Sequence, residues 1–390
     1  MKKKLQQSDR EFSHSRRYLS SLNKGTKSKH VFKGSGSTII EQMSLNTLFG
    51  KPILGVPTIM NFVATKLDDV SAKFLADLDT VLSNYRHIYL SFAKTKDVKL
   101  PMLLTIYAVQ EKYNAKISII WSKESGWVNR LLSESGRFSS AMYRDECLFN
   151  SEVPYIPVIS GSNQEFLDLS DHLVDAINDK YYGGCMPDNI ESRISQAIIE
   201  TLENVGRHAY PHDPDEMNKK WWLICSVSQP RQKDERLMYL AIYDSGRGIP
   251  LSFEDSKVFQ HRVRQHYPNE YNQLIHGTEK DGSKSGRIRQ FVRTMNAMIS
   301  PLRESIGDSG LIYASMMHDM TRLDDPNHGQ GSVSIKDVVT DDKDSNLIII
   351  SNKGCYQYNK GSEEEHIMFE LQNELPGTLL QWSIKLDELC

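Results

Sequence analysis

Paired cysteines are missing from this chain. Its 390 residues hold five cysteines, Cys147, Cys185, Cys225, Cys355 and Cys390, with no C-x-x-C spacing among them. Such scatter argues against a disulfide framework or a structural zinc site, and makes a reducing cytoplasm the expected setting. Long apolar runs are also missing. None approaches the ~18 residues that a membrane span needs, so no membrane association is expected. The start, MKKKLQQSDREF, is basic but has no apolar stretch behind it, so it does not read as a secretory leader. There is no large excess of charge of either sign. The net charge is -3, so any strong electrostatic role has to come from local patches. No internal repeat is present. What the chain does have is 39% hydrophobic residues, enough for a sizeable core and against wholesale disorder.

The length suggests two or three domains. Residues 1–37 form a polar, basic arm. Lys2, Lys3, Lys4, Arg10, Arg16, Arg17, Lys24, Lys27, Lys29 and Lys33 face only Asp9 and Glu11, and the stretch ends in Gly34-Ser35-Gly36-Ser37. It reads either as a solvated tail or as an arm that touches nucleic acid or an acidic partner. Residues 38–150 read as a small α/β module. HIYLSF (87–92) is expected as a buried strand, LPMLLTIYAVQEKY (100–113) as a helix and AKISIIW (115–121) as the next strand. His87 is taken as an ordinary strand-end residue. EVPYIPVISGSN lies within the 151–164 stretch, which is read as a linker, and 165–390 as a second domain.

The second domain carries the chemistry. Asp188 with Glu191 suggests a capping box that opens a long helix, and Pro211 stops it. Ile194, Ile198, Thr201 and Val205 make its core stripe, with Glu200, Asn204 and His208 in a polar row beside it. KKWWLICSV (219–227) and RLMYLAIYD (236–244) read as strands, the second running into Asp244-Ser245-Gly246-Arg247-Gly248-Ile249. Two glycines let backbone approach a flat ligand, and a carboxylate at a strand end can accept from an exocyclic amine such as that of adenine. Asn327-His328-Gly329-Gln330-Gly331 leads into an expected helix over 332–339, whose N-terminus could face a phosphate. NLIIIS, an Asn352-Lys353-Gly354 turn and CYQY suggest a hairpin. Pro376-Gly377-Thr378 precedes a last strand over 379–386.

Taken in order, E-x-x-x-N-x-x-x-H-A-Y on a helix, D-x-G-x-G-I after a strand, G-x-G before a helix and G-T before a strand resemble the GHKL superfamily of ATP-binding domains. Gyrase, the ninety-kilodalton chaperones, histidine kinases and mismatch-repair ATPases belong to that group. The resemblance spans about residues 165–388, and ETLENVGRHAY is most similar to the helix of the anti-sigma-factor serine kinases. It implies Mg²⁺ held through Asn204, a water-orienting or water-activating position for Glu200, and adenine recognition by Asp244 with Thr378 near the same water network. Gly246 and Gly248, followed by Ile249, would admit the base. Gly329 and Gly331 would wrap the phosphates within a lid. The second glycine box departs from the histidine-kinase pattern in reading HGQGSV, with Ser332 and Val333 where a further glycine and leucine are common. About 80 residues separate the two boxes, and 256–307 is a basic insertion near the lid.

The expected fold is therefore α+β. A small α/β module, resembling in pattern the STAS-like modules of anti-sigma antagonists, precedes a GHKL (Bergerat-fold) α/β sandwich with a mixed sheet. The expected activity is Mg-ATP binding with slow hydrolysis, lid closure altering the engagement of a protein partner. Two alternatives stand beside it. One is a protein serine kinase of the anti-sigma-factor type. The other is a nucleic-acid or protein-binding module with a degenerate nucleotide site, using the basic arm and insertion. A homodimer is compatible with either.

Overall fold

The computed structural model describes residues 29–31, 44–62, 68–228, 236–254, 302–316, 331–340 and 345–386. Two compact units divide at Arg144/Asp145.

The first unit is built on a mixed sheet. Strands β1 (Lys29–Val31), β2 (Ser44–Leu48) and β3 (Lys51–Gly55) pair antiparallel, whereas β3, β5 (His87–Ser91) and β7 (Lys116–Ile120) pair parallel, in the order β1-β2-β3-β5-β7. Antiparallel strands can be joined by a tight turn, and Phe49 and Gly50, both at positive φ, make the two-residue turn between β2 and β3. Parallel neighbours require crossovers. Helices α1 (Asp68–Asn84) and α2 (Leu100–Lys112) provide them. β4 (Ile59–Met60) pairs parallel with β6 (Asp97–Val98). Pro101 occupies the first turn of α2, where its missing N–H costs nothing. The helix then buries Leu100 through Ala108 and Gln110, the apolar-all-round signature of a core helix. α3 (Gly126–Glu134) is capped by Ser125, whose Oγ accepts from Val128 N, and α4 (Ala141–Leu148) follows it.

The second unit is a five-stranded sheet ordered β11-β12-β10-β9-β8, from β8 (Ile159–Ser162), β9 (Lys220–Ser228), β10 (Arg236–Asp244), β11 (Asn346–Tyr358) and β12 (His366–Leu386). Every pairing is antiparallel, which corrects the expected mixed sheet. β9 with β10 and β11 with β12 are consecutive in sequence and adjacent in the sheet, an arrangement that needs no parallel crossover. Helices α5 (Phe166–Ile177) and α6 (Asp188–Asn204) join β8 to β9. Ile194, Ala197, Ile198 and Leu202 of α6 share one core with Leu223, Leu240, Ile242, Leu347, Ile349, Leu380 and Trp382 of the strands. α7 (Ile249–Glu254), α8 (Leu302–Ser315) and α9 (Gly331–Asp337) follow β10. α9 packs on α6, and Trp382 Nε1 donates to Ile335 O at 2.8 Å, tying α9 to the sheet.

Three local expectations are corrected. Residues 151–164, read as a linker, contribute β8 to the sheet. The capping box does not form. Extended Pro187 precedes the helix, so Asp188 is already its first residue and its carboxylate faces the helix dipole without capping an N–H. Asn352-Lys353-Gly354 is not a turn but a register shift inside one continuous strand. β12 runs for 21 residues and pairs with both flanks of that tripeptide; from Ser351 to Gly354 its partner moves from Thr378 to Glu370, so the excess residues bulge out of β12.

Candidate functional site

Asp244 ends β10, flanked in register by Trp221 on β9 and Thr378 on β12. Its side chain is buried and accepts from Gly246 N at 2.8 Å. Burial disfavours the charged form and pushes the carboxyl up to about 7; the backbone N–H groups of Gly246 and Thr378 pull the other way. A carboxylate held at a strand end with so little compensation is poised to accept one more donor.

The loop after Asp244 is fastened on both sides. Gly246 lies against the end of the long helix, where a Cβ would come within 2.5 Å of the Ala209 carbonyl oxygen, and Arg247 N donates to the same oxygen at 2.9 Å. Gly248 has φ +86°, and a Cβ there would meet Asn352 Oδ1 at 2.3 Å. Both glycines thus meet a packing requirement of the chain itself, beside any ligand they admit. Ile249 N donates to Ser351 Oγ at 2.9 Å. That hydroxyl also bonds Gly377 O at 2.8 Å and lies 3.1 Å from Thr378 Oγ1. Ser351 and Asn352 are the residues sequence reasoning missed. Asn352 Nδ2 donates to Glu374 at 2.9 Å and Arg247 O at 3.3 Å, while its Oδ1 is buried with no partner among the described residues. The only hint in the sequence is a polar pair after an apolar run.

Glu200 and Asn204 lie on the flank of α6, both half-buried. Glu200 Oε2 is shut from solvent and has no hydrogen-bond partner among the described residues. Asn204 is the last α-helical residue, because Val205–Ala209 forms a π-helical turn. The wider turn breaks the expected row, and His208 is exposed instead of continuing it. The same turn delivers Ala209 to Gly246 and Tyr210 to Ser245. Tyr210 Oη donates to Lys220 O at 2.8 Å and accepts from Ser245 N at 3.2 Å. Burial, reinforced by the Asp244 charge, pushes the Tyr210 phenol up and keeps it a donor.

The structure therefore brings together Asp244, Gly246, Gly248, Ile249 and Thr378, with the end of the Asn204-bearing helix fixed to the same loop. Gly331 opens α9, which lies on α6; Gly329 and residues 256–301 of the basic insertion fall outside the described residues, as does most of the 1–37 arm. Among the described residues no group of His, Cys, Asp and Glu could hold a metal by itself. Asn204 and Glu200, one turn apart on α6, are the oxygen-bearing residues that could hold Mg²⁺. Among the described residues no helix is long and apolar enough to cross a membrane. No protein-family model matches the chain, and no curated protein matches it significantly.

Proposed function

We propose that the second unit binds Mg-ATP and hydrolyses it slowly, the nucleotide altering how the protein engages a protein partner. The observation that supports this reading best is the buried Asp244 carboxylate at the end of β10, bordered by Thr378 and by a glycine loop clamped to the end of α6. In this reading the Asp244 carboxylate accepts the adenine amine. Asn204 would hold Mg²⁺ through its amide oxygen, and the ion would supply neutralisation of phosphate charge. Glu200, half-buried on the flank of α6 one turn before Asn204, orients a water or takes its proton.

Calorimetric titration of ATP with and without Mg²⁺ tests binding, and a phosphate-release assay tests turnover. ATP binding that requires Mg²⁺, followed by free phosphate, is the expected result. Label from γ-labelled ATP appearing on a protein would make the chain a serine kinase. Absence of nucleotide binding would overturn the reading.

A further inference from the structure

Three polar residues form a row across neighbouring strands of the second unit. Asp244 on β10 stands opposite Thr378 on β12, and Thr378 stands opposite Ser351 on β11. Directly paired residues point to one face of a sheet. Two positions earlier, Ile242, Leu380 and Ile349 make the same row in apolar form and belong to the core shared with α6. The polar row therefore lies on the helix-covered face, at the end of the sheet. All three of its members are buried.

The order of hydrogens along the row follows from its distances. Ser351 Oγ carries one hydrogen. It lies 2.8 Å from Gly377 O, which can only accept, so the hydrogen is committed there. Turned toward Thr378 instead, it would leave two bare oxygens 2.8 Å apart. Ile249 N–H, at 2.9 Å, takes one lone pair of Ser351 Oγ. The 3.1 Å contact with Thr378 Oγ1 is then a bond that Thr378 donates. Ser351 Oγ is the one side-chain hydrogen-bond partner of Thr378 Oγ1 among the described residues. With its hydrogen so placed, Thr378 Oγ1 keeps only lone pairs. Its neighbour Asp244, when ionised, also has only lone pairs.

From this row and the order of its hydrogens, we infer that Ser351 is a positioning residue that sets the base selectivity of the site. It holds Thr378 as a second pure acceptor beside the Asp244 carboxylate, so the site takes a 6-aminopurine nucleotide and excludes a 6-oxopurine one. The inference rests on the ATP reading of the second unit. An amine carries two hydrogens and suits a pair of acceptors, whereas a 6-oxo group sets lone pairs against lone pairs. Without Ser351 Oγ, the Thr378 hydroxyl is free to turn its hydrogen toward such an oxygen, and the exclusion weakens.

The test compares ATP with ITP, which differ at position 6 of the purine and in the hydrogen on N1. Each is titrated calorimetrically into the full-length protein with Mg²⁺. Wild type is expected to prefer ATP. Ser351→Ala should shrink that preference roughly three- to tenfold, through weaker ATP binding and stronger ITP binding. Thr378→Val should also shrink it. Adding Ser351→Ala to Thr378→Val should change it no further, because Ser351 acts through the Thr378 hydroxyl. Unfolding midpoints report whether each variant keeps the fold. Where Ser351→Ala loses it, Ser351→Cys, close in size and a weaker hydrogen-bonding group, carries the same comparison. ATP and ITP weakened by one common factor would make the Ser351 hydroxyl a fastening of the loop alone. That result overturns the inference and leaves the ATP reading standing, whereas a wild type that binds no ATP overturns both.

Discussion

Asp244 carries most of the site's electrostatic character, and its burial has two measurable consequences. Its carboxyl is pushed from 3.8 up to about 7 in the folded chain. A raised acid favours folding while it stays protonated, so its contribution is full below about pH 4 and is lost as the pH rises to about 7. Over that window Asp244→Asn, which never ionises, should gain on the wild type by about 1.4 kcal/mol per pH unit, read from urea unfolding at several pH values. A constant difference between the two proteins would mean that the carboxylate is better solvated than its burial indicates. The second consequence concerns ligand. An amine donor pairs with the ionised form, so ATP should bind roughly tenfold tighter at pH 8 than at pH 6. GTP should bind weakly at both, because it presents an oxygen where adenine has its amine. Asp244→Asn should cost ATP affinity roughly 1–3 kcal/mol, through a donor set against a donor; equal affinity for ATP and GTP would remove Asp244 from the adenine.

Glu200 and Asn204 belong to the same scale but to separate steps. Asn204→Ala should abolish the Mg²⁺ dependence of nucleotide affinity. Glu200→Ala should leave binding nearly intact and slow phosphate release by about a hundredfold, the usual size of a lost general base. Wild-type turnover in Glu200→Ala would reduce Glu200 to a carboxylate of the helix flank.

Between elements, one tight joint is the contact of Gly377, within β12, with Asp244 at the end of β10. Gly377 has φ +88°, and a Cβ there would fall 1.9 Å from the Asp244 carbonyl oxygen. Gly377→Ala should therefore push the middle of β12 away from the end of β10 and destabilise the protein by roughly 2–4 kcal/mol, with ATP affinity falling in parallel. A fold and affinity unchanged in Gly377→Ala would show that this contact relaxes without cost. The β11 side of the register shift forms a second joint. Lys353 N donates to Asp308 Oδ2 at 2.9 Å, Arg303 holds the same carboxylate, and Gly354 packs on the Asp308–Ser309 backbone. Asn352, one residue before Lys353, bonds Arg247 O in the Asp244 loop. Helix α8 and the Asp244 loop are thus fastened to one three-residue irregularity, which explains a strand that keeps Asn-Lys-Gly in its middle.

At the scale of the molecule, each unit has its own sheet and core, and the candidate nucleotide site lies wholly in the second. Mg-ATP at a hundred times its dissociation constant should stabilise that unit by about 2.7 kcal/mol. Hydrogen exchange with and without Mg-ATP should show added protection in α6, β10 and β12 and little change in α2, β5 and β7. Protection gained equally in the first unit would mean that nucleotide is felt by both.

How much of this was legible depends on the range of the interactions. β5, α2 and β7 follow from local patterning, since a buried strand and a core helix are written as apolar runs of characteristic length. β10 could be read to its last residue, because RLMYLAIYD ends where apolar side chains give way to Asp-Ser-Gly. Asp244, Gly246 and Gly248 stood out because a carboxylate and two glycines after a strand are uncommon enough to be noticed, whereas Thr378 entered only through the family resemblance. What the sequence could not disclose depended on partners far along the chain. Asn352-Lys353-Gly354 has the composition of a turn, and only its pairing with β12 on both flanks keeps it inside a strand. Ser351 looks like the polar end of a strand until the fold brings Ile249, Gly377 and Thr378 to its hydroxyl. The π-helical turn after Asn204 breaks a row that 3.6-residue spacing would continue, because Ala209 has to reach Gly246. Gln110 is one more residue of a buried helix until Ala115 and Phe138 fix its amide and leave one oxygen without a donor among the described residues. Local propensity thus set which segments form strands and helices, whereas sheet direction, the bulge and the unpartnered acceptors were decided by contacts that exist only once the chain has closed.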